Sequence, residues 1–311
     1  MMHNLEGGPR LHRIRTPDAR LITCVDAGAA DGYPIVFAHG MPGTGLEGGF
    51  FHEQALTHGF RVLCMDRPGI RLSTYQSNRR LLDYPDDVAT MMDHLGLTDF
   101  VHMGWSSGGS RTLACAYALP GRVRLAVVLS GYTHFPELPH AQRMLLKTLW
   151  PGPLIASFSP RLFRLVVAVM TWVSRKQPDT YMATARRLFN DADNSILEEV
   201  AQMRRFRHDQ LSCLDSGATA IATDLWTEMG HWGFQLKDVP VPTLLWQGEE
   251  DYLLPVAYAR HMARAIPDAT LTLLPHSGHF YPLDRAFQAD LFRRIRSTLD
   301  HSSAWDSPMN T

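Results

Sequence analysis

A mostly parallel sheet flanked by helices, an α/β architecture, is what this sequence predicts, and three observations carry it. Short apolar, β-branched runs alternate with segments of helical character. Between the run ending near Ser130 and the next, starting near Thr243, lie more than 100 residues with no strand pattern. One run leads through Gly104-Trp105-Ser106-Ser107-Gly108 straight into a helical stretch, a strand, a sharp turn and a helix in succession.

The elements follow in order. Runs at 11–15 and 21–26 lie close together, separated by a short stretch that includes Thr16-Pro17-Asp18, which predicts an antiparallel hairpin leading into the parallel part. Further strands are expected at 35–38, 61–66, 100–104, 125–130, 243–248 and 269–274, eight in all. Helices are expected over 85–95, 107–118, 255–266 and 284–299. Pro85 followed by Asp86 and Asp87 suits a helix start, since proline fits the first turn and acids favour the positive end of the dipole. The long strandless stretch is rich in Arg, Leu, Met and Ala, with Pro136, Pro139, Pro151, Pro153, Pro160 and Pro178 as breakers. It reads as several helices forming a lid over the carboxyl edge of the sheet. The expected organisation is a core of 1–133 and 237–300, a helical lid of 134–236 and a disordered polar tail of 301–311.

Hydrophobic residues make up 45% and charged residues 20% of the 311, enough apolar content for a sizeable core. A net charge of -1 offers nothing to attract nucleic acid or an anionic membrane. Cys24, Cys64, Cys115 and Cys213 are scattered without metal-ligand spacing, so buried thiols, no disulfides and a reducing compartment are expected. Residues 1–17 lack the apolar core of a signal peptide. The most membrane-like stretch, 162–173, is interrupted by Arg164 and falls short of the roughly 20 residues that span a bilayer. A cytoplasmic enzyme with no membrane span is the expectation.

A serine becomes a nucleophile when exposed at a sharp turn beside a base and beside donors for the oxyanion. Gly104 and Gly108 supply the small residues that a close strand-to-helix passage requires, which makes Ser106 the candidate nucleophile. The candidate base is His279, in a loop directly after the last strand; Gly278 before it permits a tight turn, and His276 is the local competitor. The orienting acid should also end a strand. Asp251 is preferred over its neighbours Glu249 and Glu250, and Ser130-Gly131-Tyr132-Thr133-His134 after the sixth strand has no carboxylate. Oxyanion donors are expected from the backbone N–H of Ser107, at a helix start, and of Met41 in His39-Gly40-Met41-Pro42-Gly43. His39, Trp105 and Phe280 are candidate substrate-binding residues.

With these segments in place the chain resembles the α/β-hydrolase-fold superfamily. The resemblance lies in His39-Gly40-Met41-Pro42, Asp66-Arg67-Pro68-Gly69, Gly104-Trp105-Ser106-Ser107-Gly108, Gly248-Glu249-Glu250-Asp251 and Gly278-His279, across about 21–299. It implies Ser106 as nucleophile, Asp251 as orienter, His279 as base, and Met41 and Ser107 as oxyanion amides, in the order Ser, Asp, His. One departure stands out. Members continue Asp-x-x-Gly-x-Gly-x-Ser after the fourth strand, whereas here Arg71 replaces the second glycine. That loop is either structural or places Arg71 where it binds a substrate carboxylate.

The leading expectation is a serine hydrolase acting on an ester, lactone or thioester of a small to medium apolar substrate, with no cofactor or metal required. A prolyl-type aminopeptidase is the alternative if Glu198, Glu199 or Glu228 binds a substrate ammonium. A non-hydrolytic relative (acyltransferase, cyclase, lyase or cofactor-free peroxidase-like enzyme) shares the fold. The lid is expected to line an apolar channel with residues 145–150 and 162–173, and to turn Arg186, Arg187, Arg204, Arg205 and Arg207 to solvent.

Overall fold

The computed structural model describes residues 8–145, 155, 159–187 and 189–303. In chain order they form β1 (Arg10–Arg15), β2 (Leu21–Gly28), β3 (Tyr33–Ala38), α1 (His52–His58), β4 (Phe60–Met65), α2 (Tyr84–His94), β5 (Phe100–Trp105), α3 (Gly108–Ala118) and β6 (Val123–Leu129). The long insertion then supplies α4 (Ala141–Met144), α5 (Pro160–Lys176), α6 (Pro178–Arg186), α7 (Asp191–Leu197), α8 (Val200–Leu214) and α9 (Ala218–Met229). The chain closes with β7 (Thr243–Gly248), α10 (Val256–Ala265), β8 (Ala269–Leu274) and α11 (Arg285–Ser303).

All eight expected strands pair into one sheet of order β1-β2-β4-β3-β5-β6-β7-β8. β1 and β2 form the expected antiparallel hairpin, β2 pairs antiparallel with β4, and every later pairing is parallel. The middle strands read as unbroken apolar runs because both their faces are covered. Val36 and Ala38 join Val88, Met91 and Leu113 on one face, while Ile35 and Phe37 join Ala55, Phe292 and Ile295 on the other. Helix α11 continues to Ser303, so the first residues expected in a disordered tail are helical. The four cysteines are buried and free, and among the described residues no helix is long and apolar enough to cross a membrane.

The strand order decides where chemistry can happen. From β3 the chain crosses to β4 on one side, and β5 then takes the other side. The carboxyl ends of β3 and β5 therefore border a crevice that no crossover fills, with Ala38 opposite Gly104 at its base. The loops after β3 and β5 carry the His39–Gly43 segment and Ser106, and those after β7 and β8 carry Asp251 and His279.

Candidate active site

Ser106 follows β5 at φ +56, left-handed backbone that a residue other than glycine seldom adopts and that tertiary structure must enforce. Its N–H donates to Leu129 O at 2.9 Å, and Gly109 N–H donates back to Ser106 O at 3.0 Å. The flanking glycines are required sterically. A Cβ on Gly104 would overlap the backbone of Gly108, and one on Gly108 would overlap the carbonyl of Ala38. The turn leaves Ser106 half-buried, and among the described residues its hydroxyl is in no hydrogen bond.

Asp251 and His279 meet across two loops. His279 Nδ1 lies 2.8 Å from Asp251 Oδ2, with both side chains buried. Every direction around the carboxylate is used: Oδ1 accepts from Leu253 N–H at 2.8 Å and Leu254 N–H at 2.9 Å, and Oδ2 also accepts from Gln247 Nε2 at 2.9 Å. Burial by itself would lower the His279 pKa, but the charge and hydrogen bond of Asp251, with a further contribution from Asp193, carry it above the ordinary value. Trp105 Nε1 donates to His279 O at 3.1 Å, and its ring lies 5.7 Å from the imidazole, which brings the histidine beside the strand end that bears Ser106. The local competitors lie elsewhere. The His276 side chain is 91% exposed and pairs with Glu250, and Glu249 is exposed as well.

The loop after β3 is held from below. Glu47 Oε2 accepts from Gly40 N–H at 2.8 Å, and a Cβ on Gly43 would overlap Glu47 Oε1. Gly40 packs against the nucleophile, since a Cβ built on it would sit 3.7 Å from Ser106 Cβ. Among the described residues the N–H groups of Met41 and Ser107 donate to no protein acceptor. His39 is fully buried. Its Nδ1 faces Gly40 O at 2.8 Å and its Nε2 accepts from Arg67 N–H at 3.3 Å, so the ring holds the loop backbone. Burial, aided by the Arg67 charge, pushes its pKa down and keeps it neutral. Trp105 and Phe280 are also buried; Phe280 packs edge-on against Trp105 and against Phe189 and Phe206 of the insertion.

The insertion reaches the site through buried acids that local sequence patterns do not mark. Asp224 on α9 is ion-paired with Arg67 at 2.8 Å, Arg79 at 2.7 Å and Arg111 at 3.3 Å. Glu228, one turn on, accepts from Arg111 Nη1 at 2.6 Å and from Ser107 Oγ at 2.7 Å. Glu228 is fully buried, with Oε2 taken by Arg111 and Ser107 and Oε1 without a partner among the described residues, whereas Glu198 and Glu199 are exposed. Asp209 on α8 accepts from Thr44 N–H at 3.0 Å and Thr44 Oγ1 at 2.6 Å. Arg71 is paired with Asp66 at 2.9 Å. It sits at φ +52, the backbone conformation glycine supplies most easily, so the replaced glycine is a matter of turn geometry.

The expected apolar channel needs correction on one side. Phe163 and Val167 of α5 face inward and pack in a cluster that includes Ile70, Cys213, Ile221 and Met41. Leu162, Leu165, Val169 and Trp172 point outward and are exposed, because the helix turns only one stripe to the interior. Leu145 is buried, and 146–150 lie outside the described residues. Arg187, Arg204 and Arg205 are exposed, and Arg186 and Arg207 half-buried.

Residues 33–286 match the alpha/beta hydrolase fold family. A non-heme chloroperoxidase of Burkholderia pyrrocinia is 30% identical over 279 residues, covering 86% of this chain and 92% of that protein. A non-heme chloroperoxidase of Streptomyces lividans is 38% identical over 123 residues; the match covers 38% of this chain and less than half, 44%, of that protein. A thermophilic esterase from Thermogutta terrifontis superposes with a TM-score of 0.68 at 20% identity, over 94% of this chain and 98% of that one. The chain belongs to the α/β-hydrolase fold family. It is an enzyme of the α/β-hydrolase class.

Proposed function

We propose that the protein is a serine hydrolase that cleaves an ester, lactone or thioester through an acyl-enzyme. The observation that carries this reading is the buried Asp251–His279 pair at 2.8 Å, bonded through His279 O to Trp105, the residue before a half-buried serine at φ +56. Ser106 Oγ attacks the carbonyl carbon and its proton passes to His279 Nε2. The displaced π pair becomes an oxyanion that accepts hydrogen bonds from the N–H groups of Met41 and Ser107. Collapse of the intermediate expels the alcohol or thiol, which takes the proton from His279. Water then attacks the acyl group with His279 again as base, releasing the acid and restoring Ser106. Asp251 keeps the proton on Nδ1, leaving Nε2 free to act as base.

The helices of 134–236 serve as the lid, and the apolar cluster around Met41, Phe163 and Val167 favours a small to medium apolar acyl or alcohol group. Four free buried thiols fit a cytoplasmic, reducing setting. Labelling by a fluorophosphonate, followed by turnover of p-nitrophenyl esters of increasing chain length, tests the proposal. Loss of label in Ser106→Ala and a kcat/KM maximum beyond the acetyl ester are expected; equal labelling of wild type and variant would refute it.

Likeness to the chloroperoxidase of B. pyrrocinia supports a second reading, in which hydrogen peroxide replaces water at deacylation and a peracid leaves. Peroxide-dependent peracid release from a short carboxylic acid, lost in Ser106→Ala, would establish it.

A further inference from the structure

The histidine loop is clamped from outside the core. Asp193, on α7 of the insertion, directs both carboxylate oxygens at consecutive backbone amides: Oδ2 accepts from His279 N–H at 2.9 Å, and Oδ1 from Phe280 N–H at 2.7 Å. The carboxylate is buried, 1% exposed, and a Cβ on Gly278 would overlap it, so the glycine before His279 makes room for this acid. The N-cap of α7 fixes the acid in turn, for Asn190 Oδ1 accepts from Asp193 N–H at 2.7 Å. Asn190 Nδ2 also donates to Glu250 O at 2.9 Å, in the loop that carries Asp251. One turn of the insertion thus grips both loops that form the acid–base pair. Phe189 and Phe206 of the insertion close over Phe280, with ring centroids 4.6 and 5.1 Å away.

We infer that Asp193 is a positioning residue for His279, holding the imidazole at Asp251 and adding a second negative charge on its backbone side. The inference rests on His279 as the base of the proposed hydrolase. Its physical basis is twofold. A bidentate carboxylate fixes both the place and the tilt of a loop whose backbone is otherwise tied through carbonyls, His279 O by Trp105 Nε1 and Ser277 O by Glu250 N–H. A buried anion beside the ring also favours the imidazolium that forms in the transition state. The charged groups facing the imidazole are Asp251, from the loop after β7, and Asp193, from α7; the rings of Trp105 and Phe280 also lie against it. The consequence for the lid is direct. If α7 moves, the base moves with it, so substrate entry that leaves the base in place must use the side of the insertion away from α7.

The test uses the full chain with Asp193→Asn and Asp193→Ala, and Asp191→Asn as an exposed control on the same helix. In Asp193→Asn one oxygen becomes an NH2 that faces a backbone N–H, so the clamp opens while the volume is kept. Both variants are expected to lose roughly 100-fold in kcat, the cost of displacing a reacting group by ~1 Å, with KM little changed. The acidic limb of kcat/KM should move to lower pH, and the His279 imidazole followed by NMR should titrate lower by the same shift. Asp191→Asn should behave as wild type. If Asp193→Ala does not fold, Asp193→Asn with the NMR titration decides. Wild-type kcat in Asp193→Asn, or a loss of rate with the acidic limb and the imidazole titration unmoved, overturns the inference. Full labelling and turnover in His279→Ala would instead overturn the hydrolase reading beneath it.

Discussion

Ser106 is the residue at which backbone strain and proposed reactivity coincide: its positive φ puts the hydroxyl at the sheet edge with no partner of its own among the described residues. Ser106→Ala is therefore expected to abolish turnover while the circular dichroism spectrum is retained, since removing one oxygen adds no strain. Asp251→Asn should lower kcat by about 10⁴-fold, because the imidazole loses the acceptor that fixes its tautomer. A larger loss in Glu250→Gln would transfer the role to that neighbour. The pH profile follows from His279. Only the neutral imidazole acts as base, and Asp251 and Asp193 raise its pKa against the effect of burial. The acidic limb of kcat/KM should therefore lie above 6.5, the ordinary histidine value, with rate lost as pH falls through it.

Helix α9 shows how an element outside the core can become part of it. Asp224 neutralises three buried guanidinium groups, and its own pKa, which burial would raise, is held well below the usual carboxylate range by Arg111, Arg67 and Arg79. Asp224→Ala would strand those cations, and a loss of about 3–5 kcal/mol in urea denaturation is expected, the cost of breaking a buried pair from one side. The close passage of β3, β5 and α3 is equally local. Gly108→Ala forces a methyl into Ala38 O, so a destabilisation of about 1–3 kcal/mol is expected, together with loss of activity as the elbow shifts. A stability change without a rate change would separate the elbow from the chemistry.

Across the whole molecule, buried acids tie the insertion to the loops of the core, and this makes stability depend on pH. Burial raises the Asp209 pKa to about 7, partly offset by its two bonds from Thr44, and nearby Glu47 is raised as well. A carboxyl raised in the folded state binds its proton there more tightly than in the unfolded chain. Its stabilisation is complete at pH below the ordinary value of 3.8 and is lost as pH rises towards 7. Asp209→Asn keeps the Oδ1 acceptor for Thr44, and Oδ2 has no partner to lose among the described residues. The variant should have a higher Tm than wild type at pH 8 and close to the wild-type Tm at pH 4; a lower Tm at pH 8 would show that the ionised carboxylate is favourable there.

Periodicity and loop chemistry determined the sheet, because each strand announces itself through neighbours along the chain. The boundaries 243–248 and 269–274 come out as read, the hairpin before them is antiparallel as its short turn requires, and the apolar middle strands signal two covered faces. The candidate nucleophile, acid and base could be proposed from the sequence for the same reason, each lying in a loop just after the carboxyl end of a strand, β5, β7 and β8. What the sequence left undecided is whatever depends on contacts between distant segments. Asp193, Asp209 and Asp224 carry no mark along the chain and Glu228 read only as a candidate ammonium-binding acid; the docking of the insertion buries all four against amides, hydroxyls and arginines 86 to 165 residues away. His39 read as a ligand-facing residue, and Arg71 read as either a structural residue or one that binds a substrate carboxylate. The structure buries His39 beneath its own loop, and it pairs Arg71 with Asp66, in line with the structural of its two readings. Chain-local patterns specify which face of an element is apolar; where a buried charge finds its partner is decided by packing, since an unpartnered charge inside is too costly to persist.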